Sequence, residues 1–411
     1  MAAISYLIWL TTRDSIRADM AVNLLRHFGT AEAVYYADRA EYDLLRIPPR
    51  LRDSMLDKRL DSAEGILERC DRQGITLLTC QDAAYPERLY QLDDHPLVLY
   101  AKGKLPRVDK EVAIGMVGSR KCTPYGQTMA GRISMDLARS GAVVVSGMAE
   151  GIDAASLKGA LQGGGRVISV LAGGVDVVYP ACNRWLYEDI QISGALISEN
   201  PPGTRPEGWR FPIRNRIISG LSLGVLVVEA AERSGALITA HDALDQGRDV
   251  FAVPGPADAP MSGGTNLLIS RGEARLVRSA WDILGEYTGQ YPQKLTFPTP
   301  LTMEESDARL APEPAPAGNA ETEDPTPAAK EQEESDLPLK SGAEFDRLGE
   351  EQREIFLLLT QHRLTAEDIV GRTEIPARRV NTALTILQAQ GYLKELPGRR
   401  FAAAVRFDQD R

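Results

Sequence analysis

The sequence predicts an α/β fold: a Rossmann-like, mostly parallel sheet with flanking helices, preceded by a small helical domain and followed by a winged helix. Three observations carry that prediction. Between Val112 and Val277, apolar runs of strand length alternate with runs whose apolar residues recur at helical spacing. The strand runs show no polar alternation, so both of their faces are buried, as in parallel sheets covered on two sides. Glycine-bearing loops follow the strands, on the edge where such sheets place ligands.

In order along the chain, residues 1–70 read as a helical domain. Leu24, Leu25, Phe28 and Val34 fit amphipathic faces, residues 43–47 form a short helix stopped by Pro48 and Pro49, and Leu56, Leu60, Ile66 and Leu67 continue the pattern. The apolar run at residues 4–10 has no basic flank before it and is too short to span a membrane, so no membrane insertion and a cytoplasmic location are expected. Residues 71–290 hold the Rossmann-like domain, opened by a strand at residues 74–79. Its further strands are expected at 112–117, 143–146, 167–171, 195–198, 225–229, 249–253 and 275–277.

Residues 291–343 are rich in Pro, Ala and Glu and are expected to be an acidic, disordered linker. Of the net charge of −10, this stretch carries most: eleven acidic residues against Arg309 and Lys330 give −9 between Thr302 and Asp336, leaving −1 elsewhere. A near-neutral folded part can carry a local basic surface, so overall acidity does not exclude a nucleic-acid partner. Residues 344–411 contain three helical runs and a hairpin with a tight turn at Pro397-Gly398, the elements of a winged helix. Candidate DNA contacts on it are Arg378, Arg379, Arg399 and Arg400.

Four scattered cysteines and four scattered histidines predict neither structural disulfides nor a zinc site, and no cofactor is expected. The chemistry lies in the loops. In Gly118-Ser119-Arg120-Lys121, a strand meets a helix across a glycine turn, leaving backbone N–H groups unpaired at a positive helix end beside a hydroxyl and two cations. That combination suits phosphate; no G-x-G-x-x-G is present to suggest a dinucleotide. A plain turn with Arg120 in solvent fits the turn alone equally well.

Ser146-Gly147 through Gly151-Ile152-Asp153, the loop at residues 172–176 and Ser234-Gly235 add further glycine turns on the same edge. Asp153 and Ser234 also suit helix N-caps. In Trp209-Arg210-Phe211-Pro212-Ile213-Arg214-Asn215-Arg216, three arginines surround an aromatic pair, and Phe211 is expected to be extended because a proline follows it. Arginines on phosphates beside aromatics on bases grip single strands without sequence preference. The alternative is a solvated basic turn with Trp209 and Phe211 in the core.

Taken as an ordered set, these segments resemble the DNA processing protein A (DprA/Smf) family. The resemblance rests on Val117-Gly118-Ser119-Arg120, Thr123-x-Tyr125-Gly126, Ser146-Gly147-Met148-Ala149-x-Gly151-Ile152-Asp153, Tyr179-Pro180-x-x-Asn183, Phe211-Pro212-x-Arg214-Asn215-Arg216, Ser234-Gly235-Ala236-Leu237, Gly247-Arg248 and Gly264-x-Asn266. It implies a homodimer that binds single-stranded DNA and helps load RecA onto strands coated by single-strand-binding protein, in natural transformation. No catalytic residue is implied. The implied DNA contacts are Arg120 on a phosphate, Phe211 with Arg214, Asn215 and Arg216 on the strand, the loop residues Gly118, Ser119, Lys121, Ser146, Gly147, Gly151, Ser234 and Gly235, and further out Arg248 and Asn266. Two positions depart from the pattern: Glu150 stands where the family commonly has Arg, and Ser156 where it has His.

Two other classes stay open. A nucleotide phosphoribohydrolase on a similar sheet would need a glutamate at its phosphate loop. Glu150, Glu199 and Glu229 are the carboxylates to weigh. A winged-helix regulator would place the activity in residues 344–411.

Overall fold

The computed structural model describes residues 2–296, 298–299, 301–310, 339–340, 345, 348–362, 364–373, 375–396 and 400–407. The chain divides into two compact units, Met1–Pro312 and Glu313–Arg411.

The apolar runs of the first unit become a nine-stranded sheet. Its strands are β1 (Thr76–Thr79), β2 (Val98–Gly103), β3 (Ala113–Val117), β4 (Val143–Ser146), β5 (Val167–Val170), β6 (Ala195–Ser198), β7 (Gly224–Val227), β8 (Asp249–Ala252) and β9 (Arg275–Leu276), in the order β1-β2-β6-β5-β4-β3-β7-β8-β9. Strands β3 to β9 pair in parallel, while β2 pairs antiparallel with both β1 and β6. The chain thus winds outward from β3 to β6, then returns to β3 and winds the other way through β7 to β9.

The helices preceding and flanking these strands are α1 (Ala2–Thr11), α2 (Ala18–Phe28), α3 (Ala31–Tyr36), α4 (Arg39–Leu44), α5 (Pro49–Met55), α6 (Asp61–Arg72), α7 (Glu87–Tyr90), α8 (Pro124–Arg139), α9 (Ile152–Gln162), α10 (Arg184–Ser193), α11 (Arg210–Leu221), α12 (Ala236–Asp245), α13 (Gly263–Ser270), α14 (Ala280–Leu284) and α15 (Met303–Leu310). Alternate strand residues feed two cores. Ile114 and Met116 join Ile133 and Leu137 of α8 and Leu157 of α9 on one face. Ala113 and Val117 join Ile217 and Leu221 of α11 and Ala240 of α12 on the other. With period two and helices on both sides, neither strand face can be polar, which is why the runs were apolar throughout.

Helices α1 to α6 surround Trp9, Tyr42 and Met55 in a third core. The border expected at residue 70 does not separate that core from the sheet. Val98 and Tyr100 of β2 and Val175 belong to it, whereas Leu99 and Ala101 of the same strand belong to the sheet's core. Pro49, expected to stop a helix, instead begins α5, where its missing N–H is one the first turn leaves unpaired anyway.

Part of the stretch expected as a linker is also ordered. Helix α15 lies on α8 and α9: Asp307 takes a bidentate pair of bonds from Arg132 (2.7 and 2.6 Å), and Lys158 donates to the Leu310 carbonyl (3.0 Å). Composition gives no sign of this docking, because it depends on the cations of two distant helices.

In the second unit, β10 (Leu339–Lys340) pairs with β14 (Arg406–Phe407). Helices α16 (Glu350–Gln361), α17 (Ala366–Arg372) and α18 (Ala377–Ala389) pack Ile355, Ile369, Val380 and Leu387 together. Strands β11 (Leu364–Thr365), β12 (Leu393–Leu396) and β13 (Arg400–Ala403) form an antiparallel sheet in the order β11-β13-β12. Leu364, just ahead of α17, pairs with Phe401.

Candidate nucleic-acid interface

Beyond the carboxyl ends of β3, β4 and β5 lies an open cleft of about 220 Å³. That is less than the ~300–1,000 Å³ that engulfs a small ligand, and fits one unit of an extended chain. Arg120, Lys121, Glu150, Tyr179 and Phe211 line it, together with the backbone of Gly147.

The Gly118 loop is held from two sides. Ser119 donates its N–H to the Glu229 carbonyl (2.8 Å) at the end of β7, and its own carbonyl accepts from Ile152 (3.1 Å) at the start of α9. Gly151 lies against this loop with φ of 76°, and a Cβ there would stand 2.3 Å from the Ser119 oxygen. Only glycine satisfies both the positive φ and the approach. The loop thereby presents Arg120 and Lys121, both exposed, at the rim. The Arg120 guanidinium stands 4.8 Å from the centre of the Phe211 ring, and Phe211 lies 5.6 Å from Tyr179. A cation and two aromatic rings therefore share one wall.

Phe211 reaches this position from a helix, not from an extended segment. Helix α11 begins at Arg210, so Pro212 is its third residue. N–H groups of a first turn have no helical partner, so a proline there loses no bond, and the preference of a pre-proline residue for extended backbone is overridden. Trp209, just ahead, is 57% exposed under the Arg210 guanidinium at 4.2 Å, so it is not a core residue.

The other predicted contacts divide. Arg214 is buried beneath the cleft floor, donating to the carbonyls of Gly147 (2.8 Å) and Val170 and to Asn215 Oδ1 (3.2 Å). It ties the ends of β4 and β5 together, and only 5% of the residue is exposed. Arg216 is also buried, paired with Glu199 (2.7 Å) and Asp94 (2.9 Å). Ser146 is buried, its hydroxyl on the Met116 carbonyl (2.6 Å). Arg248 precedes β8 and so stands at the amino edge of the parallel sheet, donating to the Arg88 carbonyl (2.9 Å). Asn266 clips Gly255 through both its backbone groups (3.2 and 3.0 Å). Ser234 and Gly235 precede α12, where the Ser234 hydroxyl accepts from Ala236 (3.3 Å), and they do not line the cleft. These residues serve the fold around the cleft, a division that depends on contacts remote in sequence.

On the second unit, Arg379 pairs with Glu351 (2.9 Å). Arg399 lies outside the described residues, as do the side chains of Arg378 and Arg400.

Beneath the floor, burial raises the Asp153 carboxyl above its ordinary range, opposed by Arg214, and burial lowers the Arg214 guanidinium to about 10. Asp153 accepts from the N–H groups of Gly147 (3.2 Å) and Ala149 (3.4 Å), so it shapes the β4 loop. Of the carboxylates weighed for hydrolysis, Glu199 is held by Arg216, and Glu229 takes the N–H and hydroxyl of Thr123 (2.7 and 2.6 Å). Glu150 is exposed in the cleft, where it accepts from the Cys182 thiol (3.7 Å). Ser156 is buried inside α9, its hydroxyl without a partner among the described residues.

Tyr179 was not among the predicted site residues, although it is 45% exposed beside Phe211. Its signal was the segment Tyr179-Pro180-x-x-Asn183. Asn183 holds the Met148 carbonyl (2.9 Å) of the neighbouring loop, whose φ is +59°. Among the described residues no His, Cys, Asp and Glu group could hold a metal ion, and no helix is long and apolar enough to cross a membrane.

Comparison with known proteins gives a consistent result. The family described as DNA recombination-mediator protein A matches residues 76–288. DNA processing protein DprA of Bacillus subtilis is 44% identical over 221 residues, which are 54% of this chain and 74% of that protein. The protein of the same name from Streptococcus pneumoniae is 43% identical over 206 residues, 50% of this chain and 72% of its own length. The X-ray structure of DNA processing protein A from Streptococcus pneumoniae covers 69% of this chain and 97% of that one, with a TM-score of 0.61 at 32% identity.

Proposed function

Because this chain belongs to the DNA recombination-mediator protein A family, we propose that its cleft binds single-stranded DNA and that the protein acts as a recombination mediator by binding, without turnover. Phosphate sits on Arg120 and Lys121, and a base lies against Phe211 or Tyr179. The observation that carries this reading is the placement of the Arg120 guanidinium beside the Phe211 ring in an open cleft floored by glycine-loop backbone. Phosphate contacts fix the strand, and stacking accepts any base, so the contribution of this cleft is salt-dependent and nearly indifferent to sequence.

In this reading the protein works as a homodimer, protects incoming single strands and helps load RecA onto strands coated by single-strand-binding protein during natural transformation. The winged-helix elements of the second unit are a further DNA or protein contact.

Binding of a fluorescent single-stranded oligonucleotide, with matched duplex as control, tests this across a salt series. Single strand is preferred, and Arg120→Ala weakens binding and reduces the salt slope by about 0.7, the value for one phosphate on a single strand. Equal binding of duplex, or an unchanged slope in the variant, refutes it.

A further inference from the structure

The loop that carries Arg120 and Lys121 into the first cleft carries Thr123 and Tyr125 into a second one. This second cleft lies at the carboxyl ends of β3, β7 and β8, where the winding of the sheet reverses. That is the place where open α/β sheets take ligands. Its volume is about 610 Å³, within the range of small-molecule sites.

Its walls are an apolar slot with two polar groups. Tyr125 is 45% exposed, and its hydroxyl is pinned to the Pro254 carbonyl (2.8 Å), so its ring is held in place. Pro254, Pro256 and Ala259 supply further apolar surface. Glu229 is buried, and each carboxylate oxygen accepts one bond from Thr123, which leaves further lone pairs. Ser262 is 4% exposed, lines the cleft, and its hydroxyl makes no hydrogen bond among the described residues. Gly255 makes room for that hydroxyl, since a Cβ there would lie 2.0 Å from it. Among the described residues no Lys or Arg lines this cleft, so they give phosphate no counter-charge in it.

A flat apolar slot with a carboxylate acceptor and a hydroxyl donor complements a ring that carries an amino group next to a ring-nitrogen acceptor. We propose that this cleft is a nucleobase subsite that takes cytosine or adenine: the ring packs on Tyr125 and the prolines, the amino group donates to Glu229, and the Ser262 hydroxyl donates to the ring nitrogen. Thymine puts a carbonyl where the amino group belongs, and the carboxylate repels it. The inference rests on the single-strand reading of the first cleft. Arg120 and Thr123 are three residues apart, at most about 10 Å, so a strand held by its phosphate on one side of the loop has a base beside the other. The base can equally come from a free nucleoside, and the test separates these sources.

The experiment compares oligo-dC with oligo-dT at one salt concentration, using the full chain and the variants Tyr125→Leu, Ser262→Ala and Ala259→Phe. Ala259→Phe fills the slot from its rim without replacing a buried residue. Thermal stabilisation by cytidine and by thymidine is measured alongside. The expected result is that oligo-dC binds about tenfold tighter than oligo-dT, the value of one charge-assisted hydrogen bond. Each variant removes that preference and keeps the salt slope of the first cleft. Equal binding of dC and dT by the wild type, with no effect of the variants, overturns the inference and leaves the single-strand reading standing. Cytidine stabilisation without any oligonucleotide binding, abolished by Ala259→Phe, keeps the nucleobase site and removes the single-strand reading. Neither oligonucleotide binding nor nucleoside stabilisation removes both.

Discussion

Replacing Arg214 by Met tests whether this arginine holds the cleft together or holds DNA. The guanidinium bonds the carbonyls of Gly147 and Val170, and its charge opposes that of the buried Asp153. Met fills similar space but leaves two buried acceptors without donors, at about 1–3 kcal/mol each, and one buried carboxylate without counter-charge. The two acceptors alone set the expected loss at about 2–6 kcal/mol. Urea unfolding of the wild type, Arg214→Met, Asp153→Asn and the double variant measures it. The double variant is expected to recover part of the loss, since neither of these two buried charges then remains.

The pH dependence has a defined sign. The Asp153 carboxyl is raised by burial, so its charged form weighs against the fold. Stability therefore declines as pH climbs from the unfolded value of about 3.9 through the raised folded one. Without the guanidinium this decline steepens, and the deficit of Arg214→Met is larger at pH 7 than at pH 4. A loss below about 1 kcal/mol, or a double variant no more stable than the single, refutes this account.

Gly151→Ala places a Cβ 2.3 Å from the Ser119 carbonyl at a positive φ, so it is expected to lower both the melting temperature and the single-strand affinity. Arg216→Ala strands Glu199 and Asp94; denaturant unfolding should show a loss of about 3 kcal/mol, while the salt slope of DNA binding stays that of the wild type. Glu150→Gln removes the one acidic side chain lining the first cleft and should tighten single-strand binding, most at low salt, in the same titration used for Arg120. Burial, with Asp94 and Asp245 nearby, lifts the Asp242 carboxyl to about 6. Its ionised form thus opposes folding above that pH, and Asp242→Asn should melt higher than the wild type at pH 7, with the gain shrinking as pH falls toward the unfolded value of about 3.9.

The sheet was legible because a parallel strand covered on both faces is apolar almost throughout, and the inner residues of β3 to β8 satisfy that apart from the buried Ser169. The loops were legible for a similar reason: Gly118 and Gly151 sit where no side chain fits. The arginines were not. Arg120 and Arg214 both stand in basic segments, yet one projects from a turn and the other enters the floor, a difference set by where α11 starts. Arg248, named as an outer contact, stands at the amino edge of the sheet, because a residue's edge depends on whether it precedes or follows its strand. The docking of α15 was hidden in an acidic composition that reads as solvated until Arg132 and Lys158 are seen opposite it.

Strand β2 has consequences for how the protein is made. Val98 and Tyr100 close the core of the first six helices, and Val175 completes it, whereas those helices end at Arg72. On a ribosome the helices emerge with one wall missing and stay so until about a hundred further residues have been added. At ~5–20 residues per second that is an interval of about 5–20 s. During it Trp9, Tyr42 and Met55 have an incomplete enclosure, so a nascent chain stalled anywhere before Val175 exposes apolar surface that the finished protein hides. A deletion that shortens the path from Arg72 to Val175 shortens that exposure as well.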